Sequence, residues 1–298
     1  MSAVLAARGL GKRYGRRWAL QECTLDVPAG HVVGLVGPNG AGKTTLLHMA
    51  VGLLSPTAGS IEVLGRPPAA DAAQLSRVGF VAQDTPVYSR LTVADHLRFG
   101  ERLNPTWDPD LALRRIEDLD LDPAQQAGSL SGGQRAQLAL TLAIAKRPEF
   151  LVLDEPVASL DPLARRQFLQ SLMEIVAEQG VSVLLSSHLV ADLERVCDYL
   201  VVLVASHVQV ADEVDALLAG HRRLTGPRRD PGTLPGDQEV IEGSHTERQS
   251  TLLVRCDGPV LDPAWNVEEV GLEDLVLAYM GRAAPARPGN QARLGVAR

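Results

Sequence analysis

A chain of 298 residues with 45% hydrophobic and 22% charged side chains can bury a large core, either as one big domain or as a domain plus a smaller appendage. A formal net charge of −7 and a pI near 5.5 leave no overall basic field to hold a nucleic acid, so no nucleic-acid partner is expected. Cys23, Cys197 and Cys256 are too scattered for a disulfide framework or a zinc site, the start Met1–Leu5 lacks a signal-peptide core, and the longest apolar run, Tyr199 to Ala205, is too short to span a bilayer.

Val4 to Ala6 and Ala19 to Val27 have β character and are separated by Gly9, Gly11 and Gly15, which predicts an antiparallel layer. Tyr14 sits in the turn between them. An exposed aromatic there can stack on a nucleobase; Trp18 is a rival for that place, and either can simply pack. His31 to Val36 reads as a buried strand running into Gly37-Pro38-Asn39-Gly40-Ala41-Gly42-Lys43-Thr44-Thr45, and Leu46, Leu47, Met49 and Ala50 continue a helix. Glycines at 37, 40 and 42 let the turn curl so that successive backbone N–H groups point at one anion at a helix N-terminus. Lys43 adds a point charge for the terminal phosphates of a nucleotide, and the Thr44 hydroxyl is a ligand for Mg²⁺.

Ile61 to Gly65 reads as a short strand, Ala69 to Ser76 as a linking helix, and Val78 to Ala82 as a buried strand ending at Gln83, where ligands sit in open α/β sheets. From Asp84 to Gln126 the pattern turns helical, with Thr92 placed to cap Val93 to Phe99, and this predicts a separate helical lobe over about 84–149. Leu130-Ser131-Gly132-Gly133-Gln134 opens a helix through Ala145; it is a second anion site with amides and a hydroxyl but no lysine, or else a plain capped helix. Phe150 to Leu153 is an apolar strand ending in Asp154 and Glu155. Successive strand residues face opposite ways, so Asp154 can turn to Mg²⁺ and Glu155 to an attacking water. Ser159-Leu160-Asp161-Pro162 turns into a helix to Gly180, and Val181 to Ser187 makes another buried strand ending at His188, on the rim that carries Gln83 and Asp154. The other histidines, at 31, 48, 96, 207, 221 and 245, are read as structural or surface residues.

Taken together these motifs resemble the ATP-binding subunit of ABC transporters over roughly residues 3 to 220. Gly37 to Thr44 matches that family's Walker A loop, Gln83 its Q-loop, Leu130 to Gln134 its signature, Leu151 to Glu155 its Walker B strand with the catalytic glutamate, Ser159 to Asp161 its D-loop and His188 its switch histidine. Tyr14 falls where the family's adenine-stacking aromatic lies. The resemblance implies an α/β fold with a P-loop core, a parallel sheet preceded by an antiparallel layer, and a helical lobe. It also implies a head-to-tail dimer, a homodimer or a pair with a closely related second ATPase subunit, in which the phosphate loop of one copy and the signature of the other enclose each ATP. Mg²⁺ then sits on Thr44, Asp154 and Gln83, Glu155 orients water, His188 steadies the terminal phosphate, and Lys43 binds it. The partner implied is a membrane permease made by another chain, which places this protein in the cytoplasm, peripheral at the inner face of the cell membrane.

Beyond residue 220 the composition changes. Residues 221 to 236 are rich in Pro, Gly and Arg and read as a linker; Gln238 to Ile241 and Thr251 to Cys256 read as strands, and Leu272, Leu275, Val276 and Tyr279 share one face of a helix stopped by Gly281. A small α+β appendage over 237–281 and a disordered tail over 282–298 are expected. The closing helix looks like that of the exporter-type branch of the family, ABC-2 transporters included, which implies export. The alternative is a soluble ABC-type ATPase acting in translation or DNA maintenance. Such proteins commonly carry two cassettes or a long coiled coil, whereas this chain has one phosphate loop and no heptad run. A simple nucleotide kinase has no use for the Leu130–Gln134 pentapeptide.

Overall fold

The computed structural model describes residues 2–84, 87–229, 238–256 and 258–282. A long hairpin, β1 (Ala3–Tyr14) and β2 (Arg17–Pro28), leads into β3 (Val32–Val36), α1 (Lys43–Ala50), β4 (Ala58–Val63), α2 (Ala72–Ser76) and β5 (Val78–Val81). Three helices follow, α3 (Val93–Leu103), α4 (Pro109–Asp118) and α5 (Gly132–Ile144), with a 3-10 turn at Ala127–Ser129. The chain then returns to α/β alternation with β6 (Phe150–Asp154), α6 (Pro162–Gln179), β7 (Ser182–Ser187), α7 (Val190–Leu193), β8 (Tyr199–Val204), β9 (His207–Glu213) and α8 (Val214–Ala219). It closes with β10 (His221–Pro227), β11 (Gln238–His245), β12 (Gln249–Cys256), β13 (Asn266–Glu268) and α9 (Leu272–Arg282).

The central sheet runs β5-β6-β7-β3-β8-β9, parallel except for the edge strand β9. Every residue of β3, β6 and β7 is buried, which is why these strands read as unbroken apolar runs rather than alternating ones. Parallel pairing also aligns their ends. Asp154 is opposite Ser186 and Val36 opposite Ser187, so the segments after β3, β5, β6 and β7 leave the sheet on one rim. The antiparallel layer β2-β1-β4 covers one face over a core that includes Leu5, Leu20, Leu46 and Phe150; α5 and α6 cover the other, around Leu140, Leu153, Phe168 and Leu185.

The helical lobe is punctuated by its caps. Thr92 and Asp95 form a capping box at α3, Asp108 caps α4 ahead of Pro109, and Ser131 with Gln134 forms a second capping box at α5.

Several sequence expectations shift. Gly9 and Gly11 do not separate strands but lie inside β1 at irregularities of its register, β4 begins at Ala58 rather than Ile61, and the linking helix shortens to Ala72–Ser76 because Asp71 caps it there. Residues 221–227 are not linker. They form β10, which pairs along its length with β12 and over residues 223–225 with β13, burying Leu224 completely next to two arginines that find partners elsewhere. Arg223 pairs with Asp274 at 2.8 Å and Arg222 donates to the Leu218 and His221 carbonyls, so charge on this strand does not mean solvation. The C-terminal sheet, ordered β11-β12-β10-β13, packs against α9, which in turn lies on β8 and α7. Gly281 does not stop α9, which continues through Arg282 to an ion pair with Glu239 at 2.7 Å. The expected linker residues 230–236 and tail residues 283–298 lie outside the described residues.

Candidate functional site

The turn after β3 is shaped by what its glycines avoid. A Cβ on Gly37 would stand 2.0 Å from the Leu203 carbonyl oxygen of the neighbouring strand, and one on Gly42, at φ +107°, would stand 2.4 Å from the Ala19 carbonyl. Gly42 caps α1 with no side chain covering the first-turn N–H groups, so these amides face the cleft as a ready anion cradle. Pro38 and Ala41 close the turn through an Ala41 N–H bond to the Pro38 carbonyl at 3.1 Å. Lys43 is buried, yet its Nζ donates to the Gly37 and Pro38 carbonyls at 2.8 and 3.4 Å and stands 3.6 Å from Glu155 Oε1. The ammonium is thus held inside the loop by weak acceptors that a phosphate can replace.

On the same rim Glu155 takes φ +45°, a left-handed conformation uncommon for a residue with a side chain. Its N–H donates to Ser186 Oγ at 2.9 Å, and its Oε2 lies 3.2 Å from His188 Nδ1. Asp154 is buried and accepts a hydrogen bond from the Ser186 hydroxyl at 2.8 Å. A cleft of about 720 Å³ joins these parts: Tyr14, Asn39, Gly40, Gly42, Lys43, Thr44, Thr45, Gln83, Glu155 and His188 all line it.

The remaining expected residues gather elsewhere. Ser131, Gly133, Gln134 and Asp161 line a separate cleft of about 530 Å³ between α5 and α6, and Gly132 sits against Leu160 beside it. Ser131 Oγ accepts the Gln134 N–H at 3.2 Å while Gln134 Oε1 accepts the Ser131 N–H at 2.9 Å, which commits the glutamine side chain to the cap. Asp161 caps α6 by accepting the Leu163 and Ala164 N–H groups, both at 3.0 Å.

The family model described as ABC transporter matches residues 20–158. The Nod factor export ATP-binding protein I of Burkholderia lata is 34% identical over 259 residues, covering 82% of this chain and 83% of that protein. The sulfate/thiosulfate import ATP-binding protein CysA of Burkholderia mallei is 32% identical over 255 residues, 80% of this chain and 73% of that one.

The chain belongs to the ATP-binding proteins of ABC transporters.

A solved ATP-binding subunit of an ABC transporter superposes with a TM-score of 0.65 at 27% identity, covering 72% of this chain and 92% of that one. This ABC protein is therefore an ATPase that powers transport, with the α/β P-loop fold of the family. Among the described residues no helix is long and apolar enough to cross a membrane.

Arg17, Ala19 and Ala158, which line the first cleft, escaped the sequence reading, as did the buried Ser186. Ser186 is one of three serines in an otherwise apolar, fully buried strand, and a buried hydroxyl in such a place signals a hydrogen-bonding task. Arg17 lines the cleft opposite Tyr14 across the β1–β2 turn. The Tyr14 and Trp18 alternatives separate here. Trp18 is half-buried, carries the Arg13 guanidinium 5.4 Å above its ring and crowds Gly11, whereas Tyr14 is 52% exposed and faces the cleft.

The oxygen donors of Thr44, Gln83 and Asp154 suit a hard cation such as Mg²⁺. Only one of the three is charged, and among the described residues no cluster of three or more His, Cys, Asp or Glu could hold a metal alone. That donor set fits an ion bound together with nucleotide phosphates and water.

Proposed function

We propose that this chain powers export through a separately encoded membrane permease, working as a head-to-tail pair with a second copy or a closely related ATPase subunit at the cytoplasmic face of the membrane. The observation that carries the reading is the division of the motifs between two clefts. Lys43, Glu155 and His188 line one; Ser131, Gly133 and Asp161 line the other. The second has helix amides and a hydroxyl for a phosphate but no lysine among the signature residues, so it gains affinity only when another copy brings a phosphate already held on Lys43.

In that arrangement Tyr14 stacks on the adenine, the amides of residues 40–45 and the Lys43 ammonium hold the phosphates, and Glu155 is released from Lys43 to orient water. His188, beside Glu155, steadies the terminal phosphate. Thr44, Gln83 and Asp154 would hold Mg²⁺, which when bound neutralises charge on the phosphates. The permease surface we assign is the groove of about 490 Å³ between the sheet and the helical lobe, where Leu53, Leu75 and Leu103 are exposed.

The export direction draws support from the Nod factor export relative and from the C-terminal helix; the sulfate/thiosulfate import relative favours the opposite direction. Two measurements test the proposal. Glu155→Gln should form an ATP-dependent dimer, seen by light scattering, with almost no turnover; wild-type turnover would remove Glu155 from its role. With its permease in liposomes and ATP outside, an exporter fills the lumen with substrate and an importer empties it.

A further inference from the structure

The turn that follows Glu155 and the short helix that follows His188 are joined from behind. Arg165, on α6, donates from its Nη2 to the Leu160 carbonyl at 3.3 Å, and its own N–H bonds the Asp161 carbonyl at 2.9 Å. Asp192 lies on α7, four residues beyond His188, and is buried. The two side chains face each other with Arg165 Nε 3.8 Å from Asp192 Oδ2, too far for a hydrogen bond. Both of these atoms are buried and neither has a hydrogen-bond partner.

These contacts complete a ring. From Glu155 the chain passes through a tight turn, with Ala158 N–H on the Glu155 carbonyl and Leu160 N–H on the Val157 carbonyl, to Leu160. Leu160 is held by Arg165, Arg165 faces Asp192, α7 leads back to His188, and His188 lies 3.2 Å from Glu155. Each link is covalent or within bonding distance except the one between Arg165 and Asp192. A buried guanidinium N–H and a buried carboxylate oxygen that stop short of one another are costly, and a shift of under about 1 Å would convert that cost into a charge-assisted hydrogen bond. Burial pushes the Asp192 carboxyl up, against the pull of Arg165, Arg195 and His188.

We propose that Arg165 and Asp192 are positioning residues for ATP hydrolysis: closure of their pair draws α7 toward the turn 156–160 and so sets the spacing of His188 and Glu155 that the reaction uses. The inference rests on the roles given above to Glu155 and His188.

Steady-state ATP hydrolysis by the full chain tests it. Asp192→Asn keeps the shape and removes the charge, so kcat should fall by about tenfold or more while KM for ATP stays within about twofold and the melting temperature is retained. Asp192→Glu keeps the charge on a longer arm and should hold kcat near wild type. Wild-type kcat in Asp192→Asn would overturn the proposal. So would an equal fall of kcat and melting temperature in Asp192→Asn and Asp192→Glu, the mark of packing alone. Glu155→Gln in the same assay separates the two readings. If it loses turnover while Asp192→Asn does not, only the ring fails; if it turns over like wild type, the site assignment fails and the ring with it.

Discussion

Ser186 Oγ donates to Asp154 Oδ1 at 2.8 Å and accepts the N–H of Glu155 at 2.9 Å, so one hydroxyl ties the Asp154 carboxylate to the Glu155 backbone at the β6 end. Asp154 and Ser186 are register partners on neighbouring parallel strands, which fixes the hydroxyl between them. The second bond also holds Glu155 in its left-handed backbone conformation.

Ser186→Ala should therefore act on folding and on chemistry together. The residue is fully buried, so both partners lose their bond without gaining water, at a cost of about 1–3 kcal/mol. Urea unfolding should show that loss, and single-turnover hydrolysis should slow more than ATP affinity weakens.

Two glycines of the phosphate loop should respond differently to a methyl group. Gly37→Ala places a carbon against the Leu203 backbone, which cannot swing aside, whereas Gly40 at φ +81° has open space around it and meets only backbone strain. Gly40→Ala should cost about 1 kcal/mol and weaken ATP binding modestly. Gly37→Ala must move the loop off β8 and should abolish the ATP-induced rise in melting temperature; a normal rise in that variant would show that the cradle tolerates displacement.

Tyr14 and Trp18 should part in the same way. Tyr14→Ala should weaken ATP binding by about tenfold, the loss of one stacked ring, and leave unfolding unchanged. Trp18→Ala should leave ATP affinity within about twofold but lower stability, because its ring fills the space over Gly11. Titration calorimetry with a non-hydrolysable ATP analogue measures the first, and urea unfolding the second.

How much of this was legible in advance depended on whether a residue's task is local. Gly37 to Thr45 is readable because the loop needs its glycines and lysine consecutively, and the all-apolar β3, β6 and β7 are readable because a doubly covered strand has no polar face. Gln83, Asp154 and His188 share a rim because parallel pairing aligns strand ends, a consequence that the strand order makes visible. Ser186 was missed since its meaning lies in what the adjacent strand places opposite it. β10 was missed since Arg222 and Arg223 read as solvated until Asp274 and the Leu218 carbonyl are seen beside them. β13 is short and exposed, so nothing in Asn266–Glu268 announces a strand except the edge of β10 it meets.

His221, read from the sequence as structural or surface, belongs to the first class and supplies a pH-dependent prediction. It is buried, with Nδ1 2.6 Å from the Leu217 carbonyl and Nε2 2.9 Å from the Tyr279 hydroxyl. A carbonyl only accepts, so Nδ1 carries the proton and Nε2 of the neutral ring accepts from Tyr279, tying β10 to α9. Burial holds the imidazole below its ordinary value of 6.5, with the Leu217 bond opposing and Arg255 adding to the fall. Between the lowered value and 6.5 the unfolded chain binds a proton that the folded chain refuses, so stability is full above 6.5 and declines as pH drops toward the folded value. Urea unfolding should show less stability at about pH 5.5 than at about pH 7.5, with part of that loss belonging to this residue. His221→Gln should lose that increment of pH dependence while the carboxylates keep theirs, and Tyr279→Phe should lower stability at the higher pH by leaving Nε2 without its donor. An unchanged pH profile in His221→Gln would mean that the ring is protonated equally in the folded and unfolded chain.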